Sequence, residues 1–171
     1  AIHGWSGAGG LGADDVPGLR TGWARESGEA LGSGTPLTLR WDSPTGMVFR
    51  KTISVDQDYL FTVTQSVENT SGGDVRLAPY GLIARHGTPE DLKNFFILHE
   101  GMIRMSDGEL NEIDYDDVEG LDATEDASSS QTINVQQNGR VGLTDHYWMT
   151  TLIPEPGTAF KSTLSHNPQT D

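Results

Sequence analysis

The chain has 171 residues, 35% of them apolar, with 21 glycines and no cysteine. Its 11 Lys and Arg face 25 Asp and Glu, a formal charge of −14 at pH 7. That excludes a partner recognised through its phosphate backbone, so no nucleic acid is expected, and disfavours adsorption to anionic lipid, because both need a basic surface. Without cysteine there is no disulfide, thiol nucleophile or cysteine-held zinc.

The plain consequence of the acidity is solubility. The length suits one domain with a real core. No run reaches the roughly 20 apolar residues that span a bilayer. Ala1-Ile2-His3-Gly4-Trp5 has neither the basic start nor the apolar stretch of a signal peptide.

Residues 1–34 hold ten glycines and little periodicity. They are expected to be a Gly-rich loop or irregular lead-in, pinned by Trp5 and Trp23. Residues 35–171 are expected to form the folded β domain. From Leu37 the pattern alternates: Leu37, Leu39 and Trp41 point one way, Thr38 and Arg40 the other, which marks a half-buried strand. Asp42-Ser43-Pro44-Thr45-Gly46 reads as a turn. Met47 to Val55 forms the next strand, with Met47, Phe49, Ile53 and Val55 on one face and Lys51 interrupting it. Asp56-Gln57-Asp58 turns the chain, and Tyr59, Phe61, Val63 and Val67 alternate along a third strand. Asn69 to Asp74 is a strong turn signal. Asn69-Thr70-Ser71 within it has the form of a glycosylation acceptor but reads more simply as a hairpin turn. Val75 to Arg85 returns as a fourth strand, disturbed at Pro79 and Gly81.

Thr88-Pro89-Glu90-Asp91 looks like a helix start, with Thr as N-cap and Pro in the first position. Further strands are expected at 95–98, 131–136, 141–143, 147–153 and 159–164. Short connections make the early strands an antiparallel meander. No long amphipathic helix is visible. The sum is an all-β sandwich with at most short helices.

Ten of the twenty residues 107–126 are Asp or Glu and none is Lys or Arg. Like charges repel and stay hydrated, so this stretch is expected to be an exposed, mobile connection between strands. The alternating oxygen ligands, central Gly and terminal Glu of a calcium loop are missing. Gly7-Ala8-Gly9-Gly10-Leu11-Gly12 has the form of a dinucleotide motif, but the strand and helix that motif needs are not around it. His86, His99 and His146 invite an acid–base reading. Neighbours on a strand face opposite ways, so neither His99-Glu100 nor Asp145-His146 converges by itself. The three histidines could still meet in space. Tyr147 and Trp148 could line a groove for a peptide, with at least one of them expected in the core. No catalytic, metal or cofactor residue is assigned, and the binding residues are left open.

Three blocks carry more than these local signals: Ala78-Pro79-Tyr80-Gly81-Leu82-Ile83-Ala84-Arg85-His86-Gly87, Leu98-His99-Glu100-Gly101, and Gly142-Leu143-Thr144-Asp145-His146-Tyr147-Trp148 running to Leu152-Ile153-Pro154. Each sets Gly or Pro beside large apolar residues, which suits strand ends and corners. With Leu39-Arg40-Trp41-Asp42, Lys51-Thr52-Ile53-Ser54-Val55-Asp56 and Tyr59-Leu60-Phe61-Thr62-Val63, the ordered set resembles the large periplasmic domain of bacterial YidC membrane-protein insertases, the alphaproteobacterial branch most closely. The resemblance runs from about Trp23 to Pro154.

It implies a twisted antiparallel β-sandwich, or supersandwich, similar to galactose-mutarotase folds. It also implies a non-catalytic role without cofactor, on the periplasmic side of the inner membrane. The partners it implies are SecD/SecF, Sec translocon components and nascent membrane proteins, with the role of insertase and chaperone belonging to the parent. The rival classes are a carbohydrate-active, aldose-epimerase-like enzyme and a plain structural spacer. The resemblance further implies strands before a Gly-Trp block, matched here by Gly22-Trp23 or Gly4-Trp5, and more chain after the Leu-Ile-Pro block. The chain is therefore expected to be a fragment or a small version of that domain. Its open sheet edges would be covered by loops or would pair between copies.

Overall fold

The computed structural model describes residues 2–87, 99–118, 120–121 and 129–167. Among these the chain forms twelve strands, one 3₁₀ turn and one short α-helix. The sheets are antiparallel with almost no helix, consistent with the all-β sandwich expected from the alternation. Two compact units are resolved, Ile2–Gly81 and Leu82–Asp171.

In the first unit the strands are β1 (Ile2–Ala8), β2 (Ala24–Ser27), β3 (Leu37–Asp42), β4 (Met47–Val55), β5 (Phe61–Asn69) and β6 (Arg76–Leu82), the last ending one residue past the unit. Strands β2-β3-β4-β5 make a four-stranded sheet, and β1 pairs with β6. Trp41 lies opposite Phe49, and Phe49 opposite Val67. Residues directly opposed share a face, so one row of the pleat stacks large apolar side chains. Phe49 is fully buried, its ring centre 5.6 Å from that of Trp41. Met47 and Val16 join it, with Trp5, Leu11, Trp23 and Leu77 packed around them.

The opposite face is polar. Arg50 binds Glu26 and Glu68 at 2.9 Å each, and Arg40 binds Asp42 at 2.7 Å. Hydrogen bonds from Arg50, seconded by Arg40, hold the Glu26 carboxyl below its ordinary range. Being exposed, this network does more for register than for stability. Lys51 interrupts the apolar face because its amine is used there: Nζ donates to the His3 carbonyl at 3.0 Å and lies 5.0 Å from the Trp23 ring centre.

Residues 1–34 are not irregular throughout, since β1 and β2 lie within them. Local periodicity could not reveal β1, whose partner β6 begins at residue 76. The Ser6 hydroxyl donates to the Ala78 carbonyl at 3.3 Å. Gly4 leaves room for the Tyr80 ring, where a β-carbon would come within 2.8 Å of the hydroxyl. Trp5 and Trp23 do pin the segment to the core.

The second unit holds β7 (Gly101–Ser106), β8 (Glu109–Asp114), α1 (Tyr115–Val118), β9 (Ser129–Val135), β10 (Arg140–Asp145), β11 (Trp148–Leu152) and β12 (Phe160–His166). A four-stranded sheet runs β11-β10-β7-β8, and β9 pairs with β12. Arg104 on β7 is buried and donates to Gln131 on β9, linking the two sheets.

The acidic stretch 107–126 is not simply a connection. Its first part is β8, paired along its length with β7, followed by the turn of helix α1 with Val118 buried. The alternation of charge with Leu110 and Ile113 is what lets it serve as an edge strand, because acidic side chains stay solvated there. Residues 119 and 122–126 lie outside the described residues. So do the helix start expected at 88–91 and the strand expected at 95–98.

Phe49→Ala is expected to destabilise the first unit by about 3–5 kcal/mol, the usual range for an emptied aromatic core site. A urea titration followed by tryptophan fluorescence would read this as a lowered midpoint.

Candidate functional site

The most exposed large side chains of the second unit sit on the β10–β11 hairpin. Asp145 lies opposite Trp148, leaving His146 and Tyr147 as a two-residue loop. Tyr147 takes a left-handed φ of 70°, a conformation unusual for any residue but glycine or asparagine. Two contacts hold the tip. His146 Nδ1 and Glu100 Oε1 form a short hydrogen bond, and the His146 ring meets Tyr147 edge-on at 5.3 Å. Glu100 is only 7% exposed, so its carboxylate has exchanged water for a protein partner, His146 among the described residues.

The register explains the pairing. Thr144 lies opposite Gly101, so the residues just before β7 meet those at the end of β10. His99 Nδ1 accordingly bonds the Thr144 hydroxyl at 2.8 Å, with Nε2 3.5 Å from Asp114. The pairs His99-Glu100 and Asp145-His146 are joined crosswise, Glu100 to His146, between the approach to β7 and the hairpin tip. Glycine makes this approach possible. A β-carbon on Gly101 would collide with the Ile113 carbonyl of β8, and one on Gly142 with the Thr150 carbonyl of β11.

A second polar group lies beside the first. Arg85 Nε is 3.5 Å from Asp145 Oδ2, and the Arg85 guanidinium lies 5.7 Å from the Tyr115 ring centre. Burial, then the Asp145 carboxylate, push the Tyr115 phenol well above its ordinary range. Residues 83–86, Leu143, Asp145, Trp148 and Thr150 line a cleft of about 420 Å³ on this face of the sheet. His86 therefore shares a cleft with Asp145, while His99 and His146 are held by other partners.

On the opposite face Ile103, Met105, Leu110 and Met149, with Glu112 and Arg140 among the rim residues, outline a mainly apolar groove of about 320 Å³. Both hollows reach β11.

The expectation that Tyr147 or Trp148 enters the core is not met: they are 89% and 79% exposed. Tyr147 is a loop residue rather than a strand residue, so alternation does not apply to it. Trp148 starts the outermost strand of its sheet. Met149 and Ile153 beyond it are 61% and 70% exposed. Arg85 and Tyr115 escaped sequence reading because only tertiary folding brings them to Asp145. The uncharged run Trp148–Pro154 was the available signal for the edge.

Such a domain is an all-β module in which buried polar groups hold a hairpin whose tip and outer strand expose Tyr147, Trp148 and Met149. The model of the YidC periplasmic domain family matches residues 1–170, and the chain belongs to that family. It is 50% identical to a membrane protein insertase YidC of Ruegeria sp. (strain TM1040), over all of this chain and 28% of the relative. With the insertase of Ruegeria pomeroyi it shares 51% identity over 98% of this chain and 28% of that protein, and with that of Paracoccus denitrificans 47% over all of this chain and 27% of that protein. The chain thus spans less than a third of the length of these relatives. The domain is periplasmic and non-enzymatic, and the aldose-epimerase alternative is set aside. No solved structure matches the chain.

Two outcomes follow from the polar groups. His146→Ala leaves the Glu100 carboxylate buried without its donor, and a loss of about 1–3 kcal/mol is expected. Adding Glu100→Gln should recover part of the lost urea midpoint. Tyr115 has a folded pKa raised above its unfolded value, so its contribution is complete below about pH 10. It is lost as pH rises through the folded value. Thermal melts from pH 9 upward should show a steeper alkaline decline for the native chain than for Tyr115→Phe.

Proposed function

We propose that this chain is the non-catalytic periplasmic part of a membrane-protein insertase and chaperone, and that it contacts apolar client segments in transit. The observation that carries this reading is the exposed edge strand β11, with no ionisable side chain from Trp148 to Pro154, in a member of the YidC periplasmic family. A periplasmic domain with −14 net charge keeps itself soluble through charge while leaving apolar side chains open to solvent. Docking to SecD/SecF or other Sec components is the second reading. It is favoured by the acidic edge strand β8, whose Glu109, Glu112 and Asp114 would suit a basic partner. A plain spacer is the third.

The test is retention on the immobilised chain at low and high salt. An unfolded single-span membrane protein should be retained at both, because burial of apolar surface is insensitive to screening. Detergent-solubilised SecD/SecF retained at low salt, with no client retained, would replace the first reading with the second. Retention of neither would leave only the spacer.

A further inference from the structure

We propose that β11 is an open sheet edge that accepts an extended, uncharged segment of a client polypeptide as an added strand. This rests on the client-contact reading above and names the place and mode of contact.

The two edges of the β11-β10-β7-β8 sheet are unlike. β8 carries Glu109, Glu112 and Asp114, the charged blunting that keeps edge strands from pairing. From Trp148 through Pro154 the other edge has no ionisable side chain. Among the described residues β11 pairs only with β10. Trp148, Met149 and Ile153 on or beside it are largely exposed.

The register says which groups are open. A two-residue loop makes Asp145 and Trp148 the first hydrogen-bonded pair of the hairpin. Bonded and non-bonded pairs alternate in an antiparallel ladder, so Leu143–Thr150 and Val141–Leu152 are also bonded pairs. The backbone N–H and C=O of Met149 and Thr151 then point away from β10, toward a further strand.

A strand added there would send alternate side chains to opposite faces. On one face they would lie beside Trp148 and Thr150, at the cleft of about 420 Å³. On the other they would lie beside Met149, at the apolar groove of about 320 Å³. Main-chain bonds without sequence demand, with tolerant apolar hollows on both sides, suit a client defined by hydrophobicity rather than by sequence. Charge argues against a second copy of this chain: each copy carries −14, while an uncharged segment meets no such repulsion.

The test uses the chain with a capped eight-residue peptide of alternating valine and threonine. A control peptide is N-methylated on alternate amides and cannot complete the ladder. Amide hydrogen exchange at Met149 and Thr151 should slow at least about ten-fold with the first peptide and not with the control. Thr151→Pro removes an outward donor at an edge position where proline is tolerated. Met149→Lys adds the charge that the edge lacks, and covers the case that the proline variant does not fold. Both should abolish the slowing.

Exchange already slow in the free chain would mean that the chain's own residues cover the edge, and would overturn the proposal. So would slowing that grows with chain concentration and is matched by a doubled mass in light scattering, which identifies a second copy. Unchanged exchange with the peptide would do the same. If both variants still retain the unfolded membrane protein at high salt, the edge assignment fails and client contact stands. If the native chain retains none, client contact itself fails.

Discussion

The second unit depends on one buried carboxylate. Glu100 sits just before β7 with almost no access to water. A carboxylate in that position is tolerable only with a hydrogen-bond donor. His146 supplies it, and in doing so fixes the tip of the β10–β11 hairpin to the start of β7. The hairpin tip takes its position from that bond, with Tyr147 against the His146 ring, while the ladder to β10 carries Trp148 and β11 along the sheet edge. Gly101 and Gly142 serve the same end by letting adjacent backbones approach where any side chain would collide.

Charge is distributed to match. In the first unit both signs are gathered on the exposed face of the β2-β3-β4-β5 sheet, where Arg40 and Arg50 share Glu26. On the apolar face Lys51 has its amine on a carbonyl and near an indole ring. In the second unit β8 carries three carboxylates and no cation. A sheet with one edge made unattractive to other strands and one edge left uncharged is asymmetric in what it can bind. That asymmetry, rather than any set of converging acids and bases, gives the domain its chemical character. The histidines fit this view: His99 is bound to the Thr144 hydroxyl and His146 to Glu100, each reaching across to a neighbouring strand or strand end.

The sequence by itself determined the all-β class, the alternation along β3, β4 and β5, and the placing of β9 to β12 within a few residues. Period-two burial is a local property, and hairpin turns announce themselves through Asn, Asp and Gly. The ordered blocks also determined the family, because their glycines and prolines mark corners that the fold needs. Other features depended on contacts between residues far apart in the chain. β1 became a strand because of β6, β8 because of β7, and Arg85 and Tyr115 joined Asp145 only through folding. The acidic stretch looked like a solvated connection because charge density is read without knowing which backbone lies alongside. Alternation alone expects one of Tyr147 and Trp148 inward, whereas only the sheet order shows that the strand Trp148 begins is outermost. Burial at an edge is decided by the neighbour that is or is not there, and a sequence does not name its neighbours.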